Sequence, residues 1–343
     1  MKIKRTLAVA VIALFVAVFS ISGVSYAADA AYSGPEYKFA LGHVIADGTP
    51  LDVGAKYFAK LVNERTGGKI TINVYSNSAL GDNRSMIESL QRGSLDFMFP
   101  AIANLAAFTK STMLLDLPFL FNNNKHAEAV LDGKIGQNIL DQLPKAGLVG
   151  LAWGVQGWRQ LTTKDTPVHH PSDMKGLKIR VQDNEIHIAY WNAVGAAATT
   201  MAYSELFTAL QQGVVDAQEN PVGNVKLSGF GEVQKYIIKT DYIYDPLPLL
   251  VSKKVWDKMD ASAQEIIKQA AVEAVKYERE YCYKYDDDIL KEYETNGKNI
   301  VIYLTPEERE EFRKAAKPVY DKYASIIGAD VIAEVQKIGA SIK

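Results

Sequence analysis

The sequence predicts an α/β protein built from two similar lobes that face each other across a cleft. Three observations support this prediction. Predicted strands and helices alternate as βαβαβ in the first part of the chain, and a Leu-Gln-x-Gly-x-x-Asp pattern occurs at both 90–96 and 210–216. Two long apolar runs, 147–163 and 236–252, can each cross from one lobe to the other. The 343 residues are also enough for more than one core.

The first lobe is predicted from three strands with a helix between each pair. The strands are YKFALGHV (37–44), KITINVY (69–75) and SLDFMF (94–99). The first helix has apolar residues at helical spacing and stops at Gly67-Gly68. The second is capped by Asp82 or Asn83 and ends at Gly93. The βαβαβ order predicts parallel strands.

The second lobe repeats part of this pattern. GLKIRVQ (176–182) is typical of a strand, and EIHIAYWNAVG (185–195) and SELFTALQQG (204–213) are typical of helices. In both copies of the repeat a helix ends at a glycine, and an aspartate closes a short apolar run. A structural unit that is used twice would explain the repeated pattern. The alternative is that so short a motif recurs by coincidence. The repeated flanking elements favour the shared unit.

The two apolar runs are predicted to cross between the lobes and to make a hinged pair. After the second run, residues 253–295 are rich in Ala, Glu and Lys and predict one long helix with Ser252 as its N-cap. These elements set the predicted lobe boundaries, which are 36–156 with 246–285 for the first lobe and 157–245 with 286–338 for the second.

Residues 1–27 have the features of a secretory signal peptide. MKIKR gives a positive start, an apolar run follows, and Ser25-Tyr26-Ala27 gives a small-x-small cleavage pattern. Cleavage is expected after Ala27 or Ala28, with a site near Ala30 as an alternative. A membrane anchor is disfavoured because Gly23 and small polar residues end the apolar run early. We therefore expect the protein in the periplasm.

Composition and motifs disfavour several classes of protein. A formal net charge of −2 without a basic run argues against a nucleic-acid partner. Cys282 is the one cysteine, so no intrachain disulfide is possible, and it is expected to pack on the long helix. The Asp run 286–288 lacks the spacing of a calcium loop and is predicted to be a solvated helix face.

No motif of an enzyme or a metal site stands out. The five histidines form no HExxH motif and no Cys/His cluster; they are His43, His126, His169, His170 and His187. There is no Gly-rich phosphate loop, and Glu219 could act as a base but has no nucleophile motif beside it. We expect no metal, no cofactor and no catalysis.

Arg180 is a charged residue inside the apolar strand GLKIRVQ. Ile179 and Val181 belong to one face of the strand, so Arg180 points to the opposite face. Ligands of open α/β sheets bind at strand ends, and a guanidinium group can hold a carboxylate with two hydrogen bonds. Arg159, next to Trp158, offers a second cation at the end of the first apolar run.

The alternative for Arg180 is an ion pair within the protein. Three acidic residues lie close to it in sequence: Asp173, Asp183 and Glu185. The residues alone leave both possibilities open.

The ordered motifs resemble the extracytoplasmic solute receptors of tripartite ATP-independent periplasmic (TRAP) transporters. The motifs are FALGHV, GGKITINVYSNSALGDNRSMIESLQRGSLDFMF, LLDLPFLF (114–121), GWRQLTT and MKGLKIRVQ…VGAAATTMAYSELFTALQQGVVDAQENP (174–221). The resemblance covers nearly all the chain after the predicted signal peptide. It implies a periplasmic binding protein-like fold, with two α/β lobes around a ligand cleft joined by crossing strands and a long helix. It also implies a small organic acid as ligand and a TRAP membrane permease as partner, and we expect a monomer.

The resemblance also implies roles for single residues. Arg180 matches the arginine that is the principal partner of the ligand carboxylate, and Arg159 resembles a second arginine that contacts it. Asn220 in QENP resembles an asparagine that hydrogen-bonds the carboxylate. Tyr203 in MAYSE occupies an aromatic position that packs over the ligand. His43 falls near the polar position through which the first lobe touches the ligand.

Three further residues complete the predicted site. Trp158 is expected in the wall of the cleft, and Gln182 is expected either to bond ligand hydroxyls or to face solvent. Sialic-acid-binding relatives carry a glutamate and an arginine in the loop that is FPAIAN (99–104) here. Ala101 and Asn104 stand at those positions, which argues against sialic acid. A sugar acid, a C4-dicarboxylate and a 2-oxo acid stay open, with Gln182 and His43 favouring a hydroxylated ligand.

Other functions use the same two-lobe plan. A receptor of an ATP-driven importer and a sensory receptor would share the fold, and a periplasmic enzyme acting on organic acids is a further alternative. The long helix after the second apolar run and the RVQ…QENP set favour the TRAP type.

Overall fold

The structure of the protein is a computed structural model that describes residues 32–342. The predicted signal peptide lies outside the described residues. The strands in this range are β1 Tyr37–Gly42, β2 Ile70–Tyr75, β3 Phe97–Met98, β4 Leu148–Thr163, β5 Lys178–Val181, β6 Ala197–Thr200, β7 Ala217–Pro221, β8 Tyr236–Ser252 and β9 Ile300–Tyr303. The α-helices are α1 Pro50–Arg65, α2 Asn83–Arg92, α3 Ile102–Leu105, α4 Asn124–Leu131, α5 Lys134–Leu140, α6 Glu185–Ala193, α7 Tyr203–Gln212, α8 Val222–Leu227, α9 Lys253–Trp256, α10 Ala261–Thr295, α11 Pro306–Ala315, α12 Lys317–Ile327 and α13 Ala329–Ser341. Short 3₁₀ helices cover Lys110–Asp116, Leu143–Ala146, Pro171–Met174 and Phe230–Glu232.

All strands within residues 32–342 join one mixed sheet. Its order is β2-β1-β3-β8-β4-β7-β5-β6, and β9 pairs with β8. In one half β1 lies between its parallel neighbours β2 and β3, and in the other β5 lies between its parallel neighbours β6 and β7. The predicted parallel strands and the predicted reuse of one unit are therefore confirmed. We call the elements around β1–β3 the first lobe and those around β5–β7 the second lobe.

The repeated aspartate has the same structural role in both lobes. Asp96 Oδ2 accepts a hydrogen bond from the backbone N–H of Ala40 in β1 at 2.8 Å. Asp216 Oδ2 accepts one from the backbone N–H of Lys178 at the start of β5 at 2.9 Å. The preceding helices, α2 and α7, both end at a left-handed glycine, with φ of 80° at Gly93 and 71° at Gly213. The shared motif thus fixes the central strand of each lobe.

The two crossing runs form β4 and β8, which pair antiparallel along most of their length. Each strand therefore passes through both lobes, as predicted. The register shifts at three places, one of them between Val155 and Gly157. Gly157 has a φ of +113°, which side-chain-bearing residues rarely adopt. This bulge lies in the strand that links the lobes.

The long helix begins later than predicted. The short helix α9 comes first, and α10 then starts at Ala261 with Asp260 accepting hydrogen bonds from Ser262 N and Ala263 N. The prediction that Ser252 caps the long helix is wrong, because residues 257–260 interrupt the helical path and Ser252 makes no side-chain capping bond. The lobe boundaries predicted around this helix stay predictions.

Cys282 is buried on α10, as predicted. Glu278 and Asp286 lie four residues before and after it, so all three share one helix face. Glu278 accepts a hydrogen bond from Val155 N at 3.0 Å, and Asp286 accepts one from Gly223 N at 3.3 Å. Asp287 and Asp288 are exposed, as predicted for the run 286–288, but the prediction is wrong for Asp286, which is half-buried because its face of α10 packs on β4 and α8.

Apolar clusters fill the space between the sheet and the helices. The larger cluster includes Phe58, Phe97 and Leu250, and a smaller one in the second lobe includes Leu206 and Phe230. Within residues 32–342, no helix has an apolar stretch long enough to cross a membrane.

Candidate ligand-binding site

A cavity of about 230 Å³ lies where the carboxyl ends of the central strands of both lobes meet. This is the edge at which parallel sheets bind ligands. The lining residues are Val44, Ile45, Ser78, Asp82, Asn83, Arg84, Ala101, Asn104, Gln156, Arg180, Gln182, Asp183, Thr200, Met201, Ala202, Tyr203 and Asn220.

Arg180 lines this cavity and pairs with no acidic side chain between residues 32 and 342. Its side chain leaves the end of β5 and is 3% exposed. Nε and Nη2 donate to the backbone oxygen of Met201 at 3.1 and 2.8 Å, while Nη1 has no partner among the described residues. Burial lowers the pKa of Arg180 to about 10, so the group stays charged at neutral pH. The guanidinium is thus a buried cation held in place by a carbonyl.

The nearby acidic residues are engaged elsewhere, so the alternative of an internal ion pair for Arg180 is not met. Asp173 accepts hydrogen bonds from the backbone N–H groups of residues 169 and 170. Asp183 faces Arg84 at 3.9 Å, and Glu185 accepts a hydrogen bond from Tyr323 at 3.2 Å.

Arg159 is buried behind the cavity wall and is already neutralised. Its side chain is fully buried, pairs with Glu219 and donates to Asp245 at 2.5 Å. Burial acts to lower the pKa of Arg159, but the two carboxylates more than offset this and raise it well above its usual value. The structure therefore does not bring Arg159 to the cavity surface. Its Nη2 does reach Asn220 Oδ1 at 3.3 Å and so helps to orient that amide.

Four other predicted residues lie in the lining. Asn220 lies near the end of β7 and donates to Gln218 at 2.5 Å, which leaves its second amide hydrogen without a partner among the described residues. Gln182 is 7% exposed, and its Oε1 has no partner among the described residues. Tyr203 packs edge-on against Phe230 and shares a hydrogen bond of 2.6 Å with Ser228. Asn104 lies at the end of α3.

Trp158 and His43 do not reach the cavity. The indole of Trp158 donates to Asn124 Oδ1 at 2.6 Å and packs against Tyr244 on another side of β4. His43 is fully buried, with Nε2 3.2 Å from Asp52 Oδ1. Its chain neighbours, 44 and 45, line the cavity instead.

The sequence reasoning missed most of the first-lobe wall. Ser78, Asp82 and Asn83 follow the end of β2, so the rule that pointed to Arg180 also points to them. Gln156 comes from β4 and carried no comparable signal. Asn83 accepts a hydrogen bond from Ala101 N at 3.2 Å, and Gln156 accepts one from Asn224 at 3.2 Å, so both amides keep donors for a ligand.

A second cavity, of about 750 Å³, is lined by α4, β4 and α10. Its buried cation is Arg279, which binds Asp132 through both terminal nitrogens at 2.9 and 2.8 Å. Tyr283 donates to Glu128 in the same cavity at 2.8 Å. Because its main charges are matched, this cavity carries no comparable signal for an anion.

Metal chemistry finds no support in the described part of the chain. No group of three or more His, Cys, Asp or Glu residues between 32 and 342 is placed to hold a metal ion.

Two α/β lobes around a cavity, with a buried cation that has no acidic partner among the described residues, are typical of a solute-binding receptor. The sequence matches the family described as bacterial extracellular solute-binding protein, family 7, over residues 41–326, and the chain belongs to this family. Members of this family are solute-binding receptors. The predicted resemblance and fold class are therefore confirmed.

Relatives from other bacteria match nearly the whole chain. A solute-binding protein of Verminephrobacter eiseniae is 35% identical over 279 residues, which are 81% of this chain and 82% of that protein. The crystal structure of a TRAP periplasmic solute-binding protein from Sulfurospirillum deleyianum with bound succinate is 32% identical, with a TM-score of 0.85 over 89% of this chain and 100% of that one. Another, from a Polaromonas species and bound to D-erythronate, is 35% identical, with a TM-score of 0.85 over 88% and 98%.

Proposed function

We propose that this protein is the periplasmic receptor of a TRAP transporter, which captures a small organic acid between its lobes and delivers it to the membrane permease. The acid binds through a carboxylate to Arg180. The observation that carries this proposal is the Nη1 of Arg180, which is buried at the cavity and has no partner among the described residues. Such a group costs free energy until an anion pairs with it.

The binding step follows from the groups around Arg180. A carboxylate next to Nη1 gains a charge-assisted hydrogen bond, and the remaining amide hydrogen of Asn220 provides another. Micromolar affinity requires about 8 kcal/mol, to which these contacts and the ring of Tyr203 contribute. Closure of the lobes excludes water and strengthens the ion pair. The closed form then differs from the open one, and the permease can distinguish them.

The relatives support the class of ligand. The two solved relatives hold succinate and D-erythronate, both small carboxylic acids. We also propose that the bound acid is released unchanged, because the cavity lining has no nucleophile paired with a base.

The test is calorimetric titration of organic acids against Arg180 variants. We expect Arg180→Ala to weaken binding by at least ~30-fold, because loss of one partner of a buried charge pair costs about 2–5 kcal/mol. Arg180→Lys should also weaken binding, since an ammonium group cannot reproduce the two-pronged geometry.

The matched control is Arg279→Ala, which removes a largely buried arginine from the second cavity. It should leave the affinity within about twofold. An Arg180→Ala variant that is folded and binds the acid with near-normal affinity would rule out the proposed role.

A further inference from the structure

The two lobes present equivalent helices to the cavity from opposite sides. Helices α2 and α7 have ten residues each and end at the glycines of the repeated motif. Asp82 and Ala202 stand at the same distance in sequence before those glycines, and both line the cavity. Asp82 caps α2 by accepting a hydrogen bond from Ser85 N at 2.8 Å. Ala202 has no side chain that can cap α7. The repeat is therefore asymmetric at the cavity.

The second-lobe wall is built to receive one anion. The first N–H groups of α7 have no side-chain acceptor in the described part of the chain, and a helix N-terminus favours negative charge. Beside it Arg180, at 3% exposure, keeps Nη1 unpartnered among the described residues. The helix end and the guanidinium are independent features that converge on the same wall. One carboxylate can accept hydrogen bonds from both the N-terminal N–H groups of α7 and the guanidinium of Arg180.

The opposite side of the cavity disfavours a second carboxylate. The N-terminus of α2 is already occupied by Asp82, and Asp183, which follows β5 in the second lobe, faces Arg84 and adds another carboxylate to the lining. Arg84 is the cation on this side, and it lies 3.4 Å from Glu88 and 3.9 Å from Asp183. A second anionic group on a ligand would be repelled by Asp82 and Asp183. Arg84 could attract it only weakly, because its charge is already shared with carboxylates of the protein.

Neutral polar groups fill the rest of the lining. The amide oxygen of Gln182 has no partner among the described residues, while Asn83 and Gln156 use their oxygens within the protein and keep N–H donors. A hydroxyl group both donates and accepts, so it can satisfy either kind of partner and either orientation of an amide. Ser78 adds a hydroxyl group to the same wall.

We propose that the ligand carries a single carboxylate, held by Arg180 and the N-terminus of α7, and several hydroxyl groups that face the amides of Gln182, Gln156 and Asn83. This describes a polyhydroxy monocarboxylate, the chemistry of a sugar acid. The inference rests on the proposed function and selects among the acids that the sequence left open.

The test compares three acids with four carbons each: D-erythronate, succinate and 2-oxobutanoate. Each acid has one carboxylate in common with the others, and they differ at the opposite end. That end is hydroxylated in D-erythronate, anionic in succinate and apolar in 2-oxobutanoate. Calorimetry at pH 7.5 should give a Kd for D-erythronate at least ~10-fold lower than for either other acid. Equal or tighter binding of succinate or 2-oxobutanoate would overturn the inference and leave the proposed function standing. If none of the three binds, nor any longer sugar acid, the proposed function fails as well.

Variants locate each end of the ligand. Ala202→Asp copies the capping residue of α2 into α7 and should weaken the binding of all three acids by at least ~10-fold. Gln182→Leu should raise the Kd for D-erythronate about 10-fold and change the Kd for 2-oxobutanoate by less than about twofold. The double variant Asp82→Asn with Asp183→Asn should narrow the preference for D-erythronate over succinate at least ~3-fold. Thermal unfolding confirms that each variant is folded, and a preference unchanged in the double variant would contradict the role of these carboxylates.

Discussion

Arg159 and Arg180 are two buried arginines close to one cavity, and their electrostatic environments are opposite. Arg159 has two carboxylate partners, whereas Arg180 has a backbone carbonyl and an unpartnered Nη1 within the described residues. A paired charge in the interior is costly to disrupt, while an unpaired one is costly to keep. The second situation gives a receptor its affinity, because the ligand removes a cost that the empty protein carries.

Replacing each arginine by methionine should therefore have opposite effects on the ligand-free protein. Arg180→Met removes an unpaired charge but also the hydrogen bonds to Met201, and we expect it to raise the free energy of unfolding by about 1–2 kcal/mol. Arg159→Met leaves Glu219 and Asp245 buried without their cation and should lower it by about 3–5 kcal/mol. Urea denaturation without ligand measures both. Equal losses for the two variants would contradict the assignment of Arg180 as unpaired.

Helix α10 buries an acidic side chain against the crossing strand β4. Glu278 is fully buried, its Oε2 accepts from Val155 N, and its Oε1 has no partner among the described residues. Burial raises the pKa of Glu278 to about 8, which the Val155 N–H and Arg279 offset only in part and Asp286 reinforces. The carboxyl group is therefore mostly protonated at neutral pH. It lies where the helix contacts the strand that joins the lobes.

This pKa makes the stability of the fold depend on pH. The folded state holds the Glu278 proton up to about pH 8, whereas the unfolded chain releases it near its usual pKa of 4.5. The stability from protonated Glu278 is fully present below pH 4.5 and is lost as the pH rises through 8. We expect Glu278→Gln to flatten the decline between pH 5 and pH 8.5 in urea titrations. Glu280 is exposed on the same helix, so Glu280→Gln should keep the wild-type slope of the free energy of unfolding against pH. Equal slopes in the wild type and both variants would disprove the effect of Glu278.

The sequence predicted elements best where one local pattern is sufficient. Alternating apolar residues indicated β2, and glycines marked the ends of α2 and α7, because these signals need no distant partner. The start of α10 was missed because Ser252 and Asp260 are both good capping residues, and sequence does not say which of them precedes a continuous helix. Arg180 followed from the strand-end rule. The partners of Arg159 could not be predicted in the same way, because Glu219 and Asp245 are 60 and 86 residues away along the chain.

At the scale of the whole molecule, β4 and β8 are the links through which the lobes hold each other. The bulge in β4 has Gly157 at a φ of +113°, and a Cβ there would lie 2.2 Å from Asp286 Oδ2. The backbone conformation and the Asp286 side chain therefore both disfavour a larger residue where the chain passes between the lobes.

We expect Gly157→Ala to lower the free energy of unfolding by about 2–4 kcal/mol, because both the strained backbone and the clash contribute. Gly213→Ala is the matched control, since Gly213 also has a positive φ of +71°, but no atom of residues 32–342 lies within 4 Å of an added Cβ there. Its cost should be about 1 kcal/mol. Chemical denaturation of both variants measures the difference, and equal costs would mean that Asp286 does not confine this position.

The order of strands means that the sheet cannot form fully until β8 has been synthesised. β3 lies beside β8, and β8 is made long after β3 during synthesis. A growing polypeptide that ends before Tyr236 leaves the edges of β3 and β4 with unpaired backbone groups, which invite association with other chains. Neither half can thus finish folding by itself while translation proceeds, and truncated products should aggregate rather than persist as stable single lobes.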